Sequence, residues 1–198
     1  MKHWEEIEDL LISPWSHHLN LILPNGIKVI GKLQQVDTMN GSIIHRIFPS
    51  LLAEELAVIE SKHPFVSPAM LDFYGRASGM EIFRGMIKIF GFHFERKEGG
   101  AVYPPDWEYM NARFAFFSSQ NKMNGDYYVF GGHKFQWNNE TYLYIDNKTD
   151  KIYESQSLED TSPRRMWETL DEFFLQEIDR LNKLHDSAGE RTFKYEGE

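Results

Sequence analysis

The chain is predicted to fold as an α+β protein, with a mainly antiparallel sheet of about five or six strands flanked by helices. Two observations favour this class. Predicted helices and strands are segregated along the 198 residues and do not alternate as strand–helix–strand units. Asn-Gly pairs stand between apolar, β-branched runs, and such pairs favour tight hairpins between antiparallel neighbours. We therefore expect one domain over residues 1–198.

Residues 1–47 are predicted to add a helix and a β-hairpin to this domain. The apolar residues of His3–Ile12 recur at helical spacing and would form one buried face. His18–Pro24 and Ile27–Val36 are apolar and β-branched, which is typical of strands. Asn25-Gly26 between them predicts a two-residue type I′ turn, in which both central residues need a positive φ.

Two helices and a set of strands follow. Pro49–His63 has apolar residues on one helical face, and Ser67 before Pro68 predicts the start of a second helix that ends at Gly79. We expect one sheet from five strand regions: Met80–Gly91, Arg113–Ser118, Tyr127–Phe130, Thr141–Asp146 and Lys151–Ser155.

The C-terminal part is predicted to be a long amphipathic helix. Thr161 or Ser162 would cap it, with Pro163 in its first turn, and apolar residues recur at helical spacing from Met166 to Leu181. Phe173 stands on this apolar face and should be buried. Residues 186–198 are polar and are predicted to be a frayed tail.

Composition limits the function. The chain has no cysteine, which excludes disulfides, thiolate metal sites and cysteine nucleophiles. Its N-terminus lacks the features of a signal peptide, and no run of apolar residues is long enough to span a membrane, so we expect a cytoplasmic protein. The formal net charge of −9 disfavours nucleic acid as a partner and suits a basic protein.

Candidate catalytic and metal sites are weak. His17 and His18 are adjacent and on a strand would face opposite sides. His93 and Glu95 could share a face, but a metal would need a third ligand such as His45 or His133. No nucleophile elbow, phosphate loop or metal-binding helix motif is present. We therefore expect no enzyme activity, no cofactor and no metal.

Aromatic and acidic residues crowd the segment from Tyr103 to Trp137. Aromatic side chains provide much contact area at low entropic cost and are common in interface hot spots. Acidic neighbours suit a basic partner. The predicted partner-binding residues are Asp106, Trp107, Asp126 and Tyr128, although each of these aromatic residues could instead fill the core.

Several of these segments together resemble the SUKH superfamily, over roughly Phe48–Leu184. The matching features are the proline-started helix at Ser67–Tyr74, Phe90-Gly91 at the end of a strand, Gly125-Asp126-Tyr127-Tyr128, a hairpin strand at Ile152–Glu154 and a Phe-rich helix at Trp167–Leu175. The chain departs from the family at Gly131-Gly132, where an acidic residue often stands.

The resemblance implies a non-enzymatic immunity protein that neutralises a protein toxin, often a nuclease, by occluding it. Two alternatives remain open at this point. One is a regulatory scaffold that binds a host protein, as in eukaryotic relatives of the family. The other is an enzyme with an unrecognised site built from His45, His93 and carboxylates.

Overall fold

The structure of the protein, a computed structural model, describes residues 1–31, 43–92, 94–96, 100–102, 127–134, 140–156, 163–187 and 192. The described helices are α1 (Trp4–Ile12), α2 (Ala53–Lys62), α3 (Pro68–Tyr74) and α4 (Leu170–Lys183). The described strands β1 to β11 are, in order, Leu19–Ile22, Lys28–Gly31, Ile43–Ile47, Met80–Ile82, Ile87–Ile89, Phe94–Arg96, Gly100–Val102, Tyr127–Lys134, Glu140–Asp146, Ile152–Ser155 and Arg165–Trp167.

The α+β class is confirmed, and the main sheet is antiparallel at every described pairing. Its nine described strands lie in the order β1-β2-β3-β4-β5-β8-β9-β10-β11, while β6 and β7 pair separately. The expected number of five or six strands is therefore wrong. In the N-terminal hairpin β1–β2, strand β2 pairs with β3, and β3 pairs with β4. The hairpin is therefore part of the main sheet and not a separate addition to the domain.

The turn of this hairpin differs from the prediction. The Gly26 N–H donates to the Leu23 carbonyl (2.8 Å), and the Leu23 N–H donates to the Ile27 carbonyl (2.9 Å). Gly26 has φ +82°, but Asn25 does not have a positive φ. The loop is thus three residues long, a type I turn followed by a left-handed glycine, and the predicted type I′ turn is wrong. Pro24 explains the choice, because its fixed φ suits the first central position of a type I turn.

Met80–Gly91 is not one strand but the hairpin β4–β5. Three consecutive residues have positive φ: Phe83 (50°), Arg84 (58°) and Gly85 (80°). A positive φ is unfavourable for Phe and Arg, so contacts from the rest of the protein must hold this turn. The Arg84 N–H donates to the Ile44 carbonyl (2.8 Å), and the Phe83 N–H donates to His45 Nδ1 (3.1 Å). Both acceptors lie on β3.

Helix α3 begins as predicted and ends early. The Ser67 hydroxyl accepts the Met70 N–H, and Pro68 occupies the first turn. The helix stops at Tyr74 instead of continuing to Gly79. The following chain is held against the end of β3, where the Ser78 N–H donates to the Pro49 carbonyl (3.0 Å) and the Phe48 N–H donates to the Gly79 carbonyl (3.1 Å). These bonds compete with further helix.

Helix α4 begins at Leu170, later than predicted. The Thr169 hydroxyl accepts the Glu172 N–H (3.1 Å), and the Glu172 carboxylate accepts the Glu168 N–H (2.8 Å). The Thr169 side chain caps the helix and Glu172 holds the residue before the cap, so these two bonds fix the start of the helix. The residues before it, Arg165–Trp167, form β11 on the edge of the sheet. The predicted caps Thr161 and Ser162 lie outside the described residues, as do Arg113–Ser118.

One hydrophobic core joins the sheet to the helices, and it extends from Ile7 on α1 to Leu181 on α4. Its centre is aromatic. Phe173 is fully buried, as predicted, and its ring lies edge-on to Phe130 on β8 (5.9 Å between ring centroids) and to Trp167 on β11 (5.0 Å). Phe174 stacks on Phe73 of α3 (5.5 Å). These contacts place α4 across the sheet.

Candidate functional site

The predicted partner-binding residues do not form a described surface. Asp106, Trp107 and Asp126 lie outside the described residues. Tyr128 is described, and it belongs to the core with 1% of its surface exposed. Along β8 the side chains alternate, so Tyr127 is exposed while Tyr128 points inward. The expectation that Tyr128 presents its ring to a partner therefore does not fit its position.

The Tyr128 hydroxyl has a structural partner instead. It lies 2.7 Å from the Tyr74 hydroxyl, which also donates to the Phe90 carbonyl (3.1 Å). Burial raises the pKa of both phenols above their usual range, so both stay protonated. The pair satisfies two polar groups inside the core and links α3 to β8.

The residues considered for a metal site are not brought together. His93 and the side chain of Glu95 lie outside the description. His45 on β3 and His133 on β8 are separated in the sheet by β4 and β5. Among the described residues, no group of three potential ligands is arranged to hold a metal ion.

His17 and His18 are on the same side of the chain, contrary to the prediction. They precede β1 in a turn, so the alternation of a strand does not apply. Their ring centroids are 4.2 Å apart, and both Nε2 atoms contact the Ser187 carbonyl, at 2.8 and 2.7 Å. They anchor the chain just beyond α4, within the segment predicted to be frayed.

His45 is a buried structural acceptor. It has no exposed surface, and its Nδ1 accepts the Phe83 N–H in the strained β4–β5 turn. Burial, and to a smaller extent the charge of His185, lower the pKa of His45 to about 3. Its neutral form therefore prevails at ordinary pH, and the proton sits on Nε2 because Nδ1 is an acceptor.

The described residues bring together one charged cluster, which we call the His133 cluster: His133, Glu154, Glu177, Arg165 and Arg180. His133 Nδ1 lies 3.1 Å from Glu154 Oε1 on β10, and Nε2 lies 3.3 Å from Glu177 Oε2 on α4. All three side chains are at most 3% exposed. The imidazole thus bridges the sheet and the helix inside the protein.

Cationic and polar neighbours complete the cluster. Arg165 on β11 contacts both carboxylates, with Nη1 3.6 Å from Glu154 Oε2 and Nη2 paired with Glu177. Arg180 Nη2 donates to Glu177 Oε2 (2.8 Å), and the Thr141 hydroxyl donates to Glu154 Oε1 (2.7 Å). The Arg165 guanidinium also lies 4.6 Å from the centre of the Trp167 ring. Two carboxylates therefore face two guanidinium groups as well as the imidazole.

This arrangement favours the charged form of each member. Burial alone lowers the pKa of His133, but contacts with Glu154 and Glu177 outweigh it and hold that pKa above the ordinary value of 6.5. Burial raises the carboxyl pKa of Glu154 and Glu177, yet their contacts with His133 and the arginines lower both below 4.5. The cluster is an ion network in which the charges compensate one another.

The sequence analysis did not identify Glu154 and Glu177 as buried residues, although their positions in the apolar pattern indicate it. Glu177 stands four residues after Phe173, on the apolar stripe of α4, and its neighbours Phe174 and Ile178 are buried. Glu154 lies two residues after buried Ile152 on β10 and therefore on the same, buried face of the strand. An acidic residue at an apolar position of a periodic pattern needs a buried partner.

A second charged feature lies on the surface, where α1 and α4 run side by side in the same direction. Asp171 at the start of α4 accepts the Lys2 and His3 N–H groups (3.2 and 3.3 Å). At the other end, Asn182 donates to the Leu10 carbonyl (2.9 Å). Helix α1 has four acidic residues and no basic one, and Glu5, Glu6 and Asp9 are exposed.

Compared with known proteins, the chain matches no family model, no curated protein and no solved structure. No helix in the described part of the chain is long and apolar enough to cross a membrane.

Proposed function

We propose that the protein is a non-enzymatic binding protein of the immunity type, which acts in the cytoplasm and neutralises a basic protein toxin by covering its active site. The proposal rests on the resemblance to the SUKH superfamily and on charge. The antiparallel sheet with α3 packed beside the Phe-rich helix α4 is compatible with that resemblance. A nuclease is a suitable toxin, because its active site must attract phosphate and is therefore basic.

The main structural support for the proposal is the location of the excess negative charge. In the His133 cluster two arginines face two glutamates, so the cluster supplies none of the excess negative charge behind the net charge of −9. The net charge therefore resides elsewhere. Helix α1 has four acidic residues and no basic one, and outside the cluster α4 has three acidic residues and one basic residue. Most of the excess negative charge is thus on these adjacent helices.

Such a surface would act first on the rate of association. A concentrated negative field accelerates encounter with a basic partner and orients it, and salt weakens the effect. High affinity also requires side chains that become buried in the interface. The aromatic and acidic segment with Asp106, Trp107 and Asp126 remains the predicted source of these side chains. The surface formed by the two helices α1 and α4, which we call the α1–α4 surface, would orient the partner.

Charge reversal tests this function. The partner is captured from the native cell with the purified protein, identified by mass spectrometry and tested for toxicity with and without co-expression of this chain. The double variant Glu5→Lys/Glu6→Lys should slow association roughly tenfold at low salt and flatten its salt dependence. Glu54→Lys/Glu60→Lys on α2 introduces the same charge change on another exposed helix and is the matched control.

The outcomes separate the alternatives. A basic toxin that is silenced by this chain, with a larger effect from the α1 variant than from the α2 variant, supports the proposal. A non-toxic host protein as the captured partner would instead indicate a regulatory scaffold. Equal association rates for both variants and the wild type would remove the α1–α4 surface from the proposal.

A further inference from the structure

The position of His133 between two carboxylates favours its charged form. Each ring nitrogen faces a carboxylate oxygen, at 3.1 Å for Glu154 and 3.3 Å for Glu177. An ionised carboxylate is negatively charged and only accepts hydrogen bonds, so the two contacts favour a proton on each ring nitrogen. The imidazolium is the form of the ring that is attracted to both carboxylates. A neutral ring would turn a lone pair towards one of the two carboxylates at contact distance.

These contacts join different parts of the fold. His133 lies on β8, and Glu154 lies on β10, two strands away in the sheet. Glu177 lies halfway along α4, and the Arg180 side chain, one turn later, holds the same carboxylate. The imidazolium therefore connects the middle of the sheet to the second half of α4 through its contacts with the two carboxylates.

We propose that His133 is a proton-operated latch, which as an imidazolium fastens the second half of α4 to the sheet and weakens this attachment when the proton leaves for solvent. The described charged and polar groups around the ring are Glu154 on β10, Glu177 and Arg180 on α4, Arg165 on β11 and Thr141 on β9. After deprotonation both carboxylates keep their arginine contacts, including the Arg165–Glu177 pair between β11 and α4, so the fold persists while the two contacts of His133 are lost.

The direction of the pH effect follows from linkage. The pKa of His133 is raised in the folded protein, so the latch is fully effective below the ordinary value of 6.5. Between pH 6.5 and the raised folded value, opening α4 releases one proton. The opening equilibrium constant should therefore rise up to tenfold per pH unit in this window and then level off.

Two measurements on the whole chain test the latch. In histidine-labelled protein at pH 7, nitrogen NMR should show one of the eight histidines with both ring nitrogens protonated, and that signal should disappear in His133→Gln. Hydrogen exchange of α4 peptides, corrected for intrinsic rates, should show the pH-dependent opening between pH 6 and 9. Peptides from α2, which supplies none of the described groups of the cluster, serve as the internal reference.

Variants of His133 and its neighbours test whether this residue causes the pH dependence. His133→Gln should make α4 opening independent of pH in this window, whereas the exposed-site control His3→Gln should behave like the wild type. If His133→Gln does not fold, Glu154→Gln replaces it, and the imidazolium signal should then titrate at lower pH. The latch is refuted if no ring is doubly protonated at pH 7, or if α4 opening stays constant while that ring titrates.

Discussion

The imidazole of His45 accepts the backbone N–H of Phe83 across 3.1 Å, and this bond supports a turn in which Phe83 and Arg84 both have positive φ. The Phe83 ring in turn lies edge-on to the His45 ring, with centroids 4.7 Å apart. A side chain on β3 thereby stabilises a backbone conformation that the sequence of the turn disfavours.

This relationship predicts acid sensitivity. The folded pKa of His45 is about 3, whereas the unfolded chain takes up a proton near 6.5. As pH falls from 6.5 to 3, the unfolded state binds the extra proton, so the free energy of unfolding should fall by up to about 1.4 kcal/mol per pH unit from this residue. Urea unfolding at several pH values measures the slope.

The matched variant is His45→Asn, whose side-chain oxygen can accept the Phe83 N–H at the position of Nδ1 but does not titrate in this range. Its unfolding free energy should change with pH less steeply than that of the wild type by about that amount per unit. Parallel curves for the two proteins between pH 3 and 6.5 would show that His45 is not the group responsible.

The aromatic core predicts a large effect at Phe173. The side chain is fully buried between Phe130 and Trp167, so Phe173→Ala should lower the free energy of unfolding by about 3–5 kcal/mol. Denaturant unfolding measures it. Leu175→Ala, at a half-buried position of the same helix, should have a clearly smaller effect, and equal losses would contradict this description of the core.

Gly132 should not tolerate a side chain. A Cβ atom there would lie 2.5 Å from the Thr141 carbonyl oxygen on β9, closer than real contacts allow. Gly132→Ala should therefore destabilise the protein by about 1–3 kcal/mol. At Gly75, a Cβ would be 3.4 Å from its nearest neighbour and φ is −68°, so Gly75→Ala is the control and should change stability little. Thermal melts compare the two.

Trp107 tests the predicted binding segment. If it is an interface anchor, Trp107→Ala should speed dissociation of the partner at a loss of about 2 kcal/mol or more, with an unchanged melting temperature. Asp106→Lys and Asp126→Lys should mainly slow association. Measuring the dissociation rate and the melting temperature together distinguishes the two roles, because replacing a core tryptophan would lower both stability and binding.

Tyr128→Phe should affect stability only, because its hydroxyl is bonded inside the core.

The local sequence determined those elements whose signals involve neighbouring residues. The periodicity of α1, the Ser67-Pro68 start of α3 and the hairpin strands β9 and β10 were predicted from spacing and turn residues, and the structure confirms them. Segregation of helices and strands also predicted the antiparallel sheet. Each of these signals is contained within about a dozen residues, so no distant contact is needed to interpret it.

Tertiary contacts decided the remainder. The β4–β5 turn exists because β3 supplies the Ile44 carbonyl and the His45 ring as acceptors, and neither is adjacent in sequence. Glu154 and Glu177 are tolerated inside because His133 and Arg165 reach them from other strands. Burying a charge depends on partners brought from far along the chain, so local patterns of apolar and polar residues determined the class of fold, while the pairing of these charges emerged only when the sheet and α4 packed together.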